Sequence, residues 1–204
     1  ANTNIYGETF DVITILLKNY GVSIDFVDFT DLKAVKTAIK PNTKMLYTEV
    51  ASNPTDRLAD IEELAKIAHS ADAVLMVDNT FTTPIAVKPI TLGADIVINS
   101  LTKFINGHSD ALAGSITVNS EEIFNKIHTI RMLVGTSACP FSSWMVYRGI
   151  HTIDLRVRKQ MKNAALLAKA LEDHPAVLHV NHPSLKSNLQ YELSKKLFKN
   201  DESC

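Results

Sequence analysis

Short strand-like segments alternate with helix-like segments along this chain of 204 residues. Two of the strand-like segments, Ala73–Asp78 and Asp95–Ser100, are apolar on both faces, which is typical of central strands in a sheet covered on both sides. Alternating strand and helix patterns indicate βαβ units. The sequence therefore predicts an α/β fold with a mainly parallel sheet and helices on both faces.

Further elements follow from the same criteria. Thr30 is expected to cap a helix that Pro41 and Asn42 end, and Asp60 with Glu63 resembles a capping box. We predict additional strands at Val22–Phe29, Lys44–Val50, Ala113–Val118 and Ala176–Val180. We predict helices at Asp31–Ile39, Asp60–Ser70, Ser120 to Gly135, Pro140 to Asp173 (with a bend at Gly149) and Leu189–Phe198. The turn signals near residues 182–184 predict a domain boundary there, with residues 1–181 in one large domain and residues 182–204 at the start of a second.

Composition restricts the possible partners. The hydrophobic fraction is 46%, the charged fraction is 21% and the net charge is −1, values of an ordinary globular protein with no electrostatic signature for nucleic acid or an anionic membrane. The longest apolar segments are strand-sized, so no membrane span is expected. No signal peptide is visible, and two cysteines make no disulfide framework, so we expect a cytoplasmic location.

Two reactive side chains follow the two central strands. Asp78 ends the first, and Lys103 follows Ser100 at the end of the second. Ligands of such sheets bind beyond the carboxyl ends of the strands, so these side chains are expected in one crevice. An amine that forms a Schiff base and a carboxylate that holds a pyridinium nitrogen are what pyridoxal 5′-phosphate (PLP) requires. We also expect Lys103 to be shielded from water, which favours a nucleophilic amine.

Other residues near these strand ends allow two interpretations each. Hydroxyls at Ser100 and Thr102 suit a phosphate but also suit exposed strand positions. Asn53 in a loop can bond a ring oxygen or mark a turn, and Tyr6 can stack on a heteroaromatic ring or fill a core. A lysine that forms a Schiff base without PLP is a further alternative, which Asp78 makes less attractive. The basic run that includes Arg156 is interpreted as a solvated or interface face.

Together these motifs resemble the Cys/Met-metabolism family of PLP enzymes. The blocks that carry the resemblance are Tyr6–Thr9, Glu49–Pro54, Val77–Pro84, Gly93–Asp95, the lysine signature ending in Gly107–Asp110, Pro140–Ser143 and Arg148–Arg156. They extend over nearly the whole chain. The resemblance implies the large PLP domain of the type I aminotransferase-like fold, incomplete at both ends.

The resemblance also implies a role for each candidate residue. Lys103 would hold PLP and move protons, Asp78 would pair with the ring nitrogen and Asn53 would contact the ring oxygen O3′. Tyr6 would stack on the ring and serve as an acid or base. The hydroxyls of Ser100 and Thr102 would bind the phosphate.

For function, the resemblance implies elimination at sulfur amino acids in transsulfuration, most like cystathionine γ-lyase, by a homo-oligomer that is a dimer of dimers. Activity of the cystathionine γ-synthase or methionine γ-lyase type is the alternative. An inactive fragment is another, because the family's phosphate loop and its substrate-carboxylate arginine have no match in this chain. Glu8 stands where relatives often carry glycine or, in methionine γ-lyases, cysteine, which disfavours a dedicated methionine γ-lyase.

Overall fold

The computed structural model describes residues 1–198. The strands are β1 (Met45–Glu49), β2 (Val74–Asp78), β3 (Ile96–Ser100) and β4 (Gly114–Val118). The α-helices are α1 (Gly7–Asp11), α2 (Leu32–Ala38), α3 (Ile61–Ser70), α4 (Thr83–Ala86), α5 (Glu121–Val134), α6 (Pro140–Ile150), α7 (Ile153–Glu172) and α8 (Tyr191–Leu197). Short π-helical turns lie at Val12–Leu16 and Leu101–Ile105, and 3₁₀ turns at Leu17–Tyr20 and Pro89–Leu92.

The four strands form one sheet in the order β1-β2-β3-β4. The first three strands run parallel, and β4 pairs with β3 in the antiparallel direction. The predicted α/β architecture with a mainly parallel sheet is confirmed. Because β1, β2 and β3 run in the same direction, their carboxyl ends meet at one edge of the sheet.

Helix α3 covers one face of this sheet. Asp60 caps the helix by accepting a hydrogen bond from the Glu63 amide at 3.3 Å, as the capping-box pattern predicts. The apolar positions Ile61 and Leu64 are fully buried in the main core, together with Leu75 of β2. Each fully buried side chain of this size contributes about 1.5–3 kcal/mol. The main core therefore fixes the strands whose ends carry the candidate site.

A second, smaller core joins α6 and α7 to the turn that follows β3. Its buried members include Ile105 from the turn, Val146 from α6 and Val157 from α7. The single long helix predicted from residue 140 to 173 is wrong, because the chain leaves the helical conformation at Thr152, with φ −114° and ψ 7°, and forms two helices. The break lies just after Gly149, where the bend is predicted, and α7 then packs against α4 and the turn that follows β3.

Three smaller predictions are also wrong. Residues 22–29 form no strand, because their ladder pairing is limited to a single bridge that joins Val27 to Asn2. Residues 176–180 form turn and coil, in which Leu178 is fully exposed with no strand beside it. The cap of α2 is Asp31 and not Thr30, since the Asp31 carboxylate accepts hydrogen bonds from the first turn.

The segment after the predicted domain boundary contacts the first 181 residues directly. The Gln190 side chain donates to the Leu58 carbonyl at 2.7 Å and accepts from the Leu58 amide at 2.8 Å. Leu197 and Phe198 belong to the main core. The helix predicted at residues 189–198 is present as α8, whereas the boundary at residues 181–182 stays a prediction.

Candidate active site

All six candidate residues line one cleft of about 1010 Å³ at the carboxyl ends of the parallel strands: Tyr6, Asn53, Asp78, Ser100, Thr102 and Lys103. Side chains from three strand ends and from the start of the chain thus meet at one site, as the strand order predicts. The cleft has the volume of a site for a small organic molecule, since such sites measure about 300–1,000 Å³.

Asp78 is the last residue of β2 and lies between β1 and β3. Its Oδ1 accepts a hydrogen bond from the Thr80 amide at 2.8 Å, which orients the carboxylate at the strand end. The Thr80 hydroxyl in turn accepts from the Ser100 amide at 2.8 Å. This contact ties the ends of β2 and β3 together. Thr80 also lines the cleft, and its role was not foreseen from the sequence.

Lys103 lies in the π-helical turn Leu101–Ile105 that follows β3 directly. Its backbone leaves the helical region at φ −89° and ψ −124°, so the turn is distorted at the lysine itself. The side chain lines the cleft but is exposed to solvent, so the expectation of a shielded amine is wrong for this structure. An exposed amine in an open cleft is accessible to an aldehyde.

The guanidinium group of Arg156 holds the lysine turn through hydrogen bonds to its backbone carbonyls. Arg156 donates to the carbonyls of Phe104 at 2.8 Å, Ile105 at 3.1 Å and Gly149 at 2.8 Å. Its Nε donates to the Thr152 hydroxyl at 3.0 Å. The interpretation of this arginine as part of a solvated or interface face is therefore wrong. The contacts to Phe104 and Ile105 join residues about fifty positions apart, so local sequence patterns carry no signal for them.

Two glycines permit the close approach of the lysine turn to α6 and α7. A Cβ at Gly149 would lie 2.2 Å from the Asn106 carbonyl oxygen, and a Cβ at Gly107 would lie 1.9 Å from Arg156 Nη1. Gly107 also has a positive φ of 75°, a conformation that glycine adopts without strain. A side chain at Gly149 would therefore clash with backbone, whereas at Gly107 the positive φ is the constraint, since the arginine side chain can move.

The two hydroxyl residues near Lys103 differ in their surroundings. Thr102 Oγ1 donates to the Ala113 carbonyl at 3.3 Å and accepts from the Ala113 amide at 3.2 Å. These contacts join the lysine turn to the start of β4. Ser100 is half-buried and donates through its amide to Thr80. Both residues line the same cleft as Lys103.

On the opposite side of the cleft, a single carboxylate connects Tyr6 and Asn53. Glu49 Oε1 accepts from the Tyr6 amide at 2.6 Å, and Glu49 Oε2 accepts from the Asn53 amide at 3.1 Å. Tyr6 is 38% exposed and lines the cleft. A hydrogen bond with the Glu8 side chain raises the pKa of the Tyr6 phenol, so the phenol stays protonated to higher pH than an ordinary tyrosine.

The residues present fit PLP in chemical type. The cleft brings together a primary amine, a carboxylate at a strand end, an aromatic ring and two hydroxyls, which match the aldehyde, the ring nitrogen, the ring face and the phosphate of that cofactor. The amide of Asn53 adds a donor for the ring oxygen. A lysine that forms a Schiff base without PLP would leave the carboxylate of Asp78 without a partner of this kind.

The family profile described as "Cys/Met metabolism PLP-dependent enzyme" matches residues 1–203. The chain belongs to this family. The resemblance that the motifs carry is thus confirmed, and with it the assignment to a class of enzymes that use PLP.

Individual relatives agree with the family assignment. A cystathionine beta-lyase from Lactococcus lactis subsp. cremoris is 42% identical over 95% of the chain and 51% of the relative. An L-methionine gamma-lyase from Treponema denticola is 41% identical over 98% of the chain and 50% of the relative. The chain thus spans about half the length of these curated relatives.

A solved structure extends the likeness to three dimensions. Cystathionine gamma-lyase from Lactobacillus plantarum, complexed with L-serine, superposes with a TM-score of 0.93 at 35% identity, over 97% of the chain and 52% of that structure. The fold is therefore that of the large PLP domain of this family. Within residues 1–198, no helix has the length and apolar character needed to cross a membrane.

Proposed function

We propose that the protein is a PLP-dependent carbon–sulfur lyase that acts on sulfur amino acids, with a γ-elimination like that of cystathionine γ-lyase. The observation that carries this proposal is the presence of Lys103 and Asp78 in one cleft, at the ends of neighbouring parallel strands. The likeness to a solved cystathionine gamma-lyase supports the reaction type.

PLP, when bound, supplies an electron-withdrawing ring that stabilises the negative charge left at the substrate's α-carbon after proton loss. Lys103 would hold the cofactor through its amine and, once displaced, would remove the α-proton and return a proton at the leaving side chain. The negative charge of Asp78 would favour the protonated ring nitrogen. The hydroxyls of Ser100 and Thr102 would hold the phosphate, and Asn53 would orient the ring through its oxygen.

The ring of Tyr6 would cover one face of the cofactor and exclude water from it. The Tyr6 phenol donates its hydrogen bond to the Glu8 side chain, which raises the phenol pKa and makes it a weaker acid. A role of Tyr6 as an acid or base would therefore require this contact to be released.

Product analysis tests the proposal. With PLP and L-cystathionine, γ-elimination breaks the Cγ–S bond and consumes one water, giving cysteine, 2-oxobutanoate and ammonia in equal amounts. Breakage of the Cβ–S bond would instead give homocysteine, pyruvate and ammonia. We expect 2-oxobutanoate from the parent protein and none from Lys103→Ala, with Lys126→Ala as a matched surface control. Pyruvate as the sole oxo acid would contradict the γ-lyase assignment.

The alternative activities are distinguished by the same assay. A methionine γ-lyase type would release 2-oxobutanoate from L-methionine at a rate similar to that with L-cystathionine. A cystathionine γ-synthase type would form cystathionine from cysteine and an activated homoserine ester. A folded protein that gives none of these products with PLP would support the inactive alternative.

We also propose that the protein is cytoplasmic and that it self-associates as a dimer of dimers. Apolar side chains are exposed on α5 and α6, including Ile130, Leu133, Phe141 and Trp144. Their burial between subunits would remove this surface from water. Light scattering on the purified protein tests the subunit number, and a monomer at micromolar concentration would contradict the proposal.

A further inference from the structure

Glu49 lies in the candidate cleft but has no role in the proposed chemistry. It is the last residue of β1 and is 4% exposed, so its carboxylate is largely removed from water. A buried carboxylate is unfavourable unless hydrogen bonds or charges compensate it. Each of its two oxygens accepts a backbone hydrogen bond, one from Tyr6 at 2.6 Å and one from Asn53 at 3.1 Å.

The two donors belong to distant parts of the chain. Tyr6 lies 43 residues before Glu49, at the start of α1, and Asn53 lies four residues after it, in the loop that follows β1. In the proposed function, Tyr6 would cover the ring face of the cofactor and Asn53 would contact its ring oxygen. The orientation of both segments in the cleft therefore depends on the same side chain.

The charged and titratable neighbours of Glu49 on the sheet are acidic or neutral. Asp78 is its register partner on β2, and Tyr47 lies two positions earlier on the same face of β1. Lys103 is a cation that lines the same cleft. Burial raises the pKa of the Glu49 carboxyl, and the nearby charge of Asp78 adds to this, while the two backbone hydrogen bonds oppose it.

We propose that Glu49 is a positioning residue, whose ionised carboxylate holds the segments of Tyr6 and Asn53 in the orientation that the cleft requires. The cofactor roles of Tyr6 and Asn53 rest on the proposed function, whereas their hydrogen bonds to Glu49 do not. An ionised carboxylate has two acceptor oxygens, whereas a protonated carboxyl uses one oxygen as a donor. Protonation of Glu49 therefore weakens one of its two contacts.

The direct test is amide hydrogen exchange in the absence of PLP. In the parent protein, protection of the Tyr6 and Asn53 amides, corrected for intrinsic exchange, is expected to fall as the pH is lowered through the raised Glu49 pKa. Glu49→Gln replaces one acceptor by an NH₂ donor, so one of the two amides should exchange about tenfold faster or more. In this variant the pH dependence should disappear, because the side chain no longer titrates.

Glu122→Gln is the matched control. It makes the same substitution at an exposed helix position, paired with Lys126, and should leave both amides and their pH dependence unchanged. A general loss of stability would raise exchange throughout the core and would not remove a pH dependence confined to two amides. If Glu49→Gln does not fold, the pH dependence of the parent protein still decides the matter.

Equal protection of both amides at all pH values, or equal exchange in Glu49→Gln and the parent, would overturn the proposal. The apparent affinity for PLP gives a second readout: it should fall with the pH in the parent and be lower and less pH-dependent in Glu49→Gln. If PLP binds neither protein, the proposed function fails while the exchange data still decide the role of Glu49.

Discussion

The guanidinium of Arg156 donates a hydrogen bond of 2.8 Å to the carbonyl oxygen of Phe104, the residue directly after Lys103. A second nitrogen of the same group reaches the carbonyl of Ile105. Carbonyls in the last turn of a helix have no partner within the helix, and the guanidinium supplies hydrogen bonds to two such carbonyls here. The position of the lysine in the cleft thus depends on a side chain from a helix about fifty residues later.

We expect Arg156→Ala to reduce the free energy of unfolding by roughly 2–4 kcal/mol, because hydrogen bonds to a charged group contribute about 1.5–3 kcal/mol each. Urea denaturation followed by circular dichroism measures the change. The control is Lys159→Ala, three residues later on α7, where the residue is exposed. This control should lose no more than about 0.5 kcal/mol. Equal losses in the two variants would contradict the role of Arg156.

Gly149→Ala should also destabilise the protein, although alanine is the better helix former. The added Cβ would lie 2.2 Å from the Asn106 carbonyl oxygen, so α6 or the lysine turn must move. We expect a loss of about 1–3 kcal/mol, the usual cost of overpacking. Gly7→Ala in α1 is the control, since a Cβ there meets no atom within 4 Å. Thermal unfolding of both variants measures the difference. A Gly149→Ala protein as stable as the parent would contradict the close approach of Gly149 to the Asn106 backbone.

The Tyr6 phenol should titrate at lower pH when Glu8 loses its charge. The hydrogen bond with the Glu8 side chain raises the phenol pKa, because an anionic neighbour disfavours the phenolate. We expect Glu8→Gln to move this pKa back towards the ordinary value. Ultraviolet difference titration detects the phenolate, and Tyr6→Phe identifies which of the five tyrosines gives the signal. An identical titration curve in Glu8→Gln would contradict this account.

The central part of the fold was predictable because each element has a local signature. The strands that end at Asp78 and Ser100 are short apolar runs, and α3 begins at a capping residue, so both patterns depend only on neighbouring residues. The carboxyl ends of parallel strands meet at one edge, which is why the sequence alone predicts Asp78 and Lys103 in one crevice.

The failed predictions involve contacts between distant residues. The segment at residues 22–29 has strand-forming residues, but a strand requires a partner, and the structure provides only one bridge through Asn2. Arg156 looks like a surface residue on a helix, and only the tertiary fold brings it to the carbonyls of the lysine turn. The contact between the Glu49 carboxylate and the Tyr6 amide likewise joins residues that are remote in sequence.

Reductive trapping tests the central claim most directly. PLP is added to the purified protein, borohydride fixes any cofactor that is joined to an amine, and the labelled peptide is mapped by mass spectrometry. We predict one labelled site, Lys103, and no label at that position in Lys103→Ala, while Lys126→Ala is labelled like the parent. A folded protein that takes up no label, or whose label lies on another lysine, would contradict the assignment.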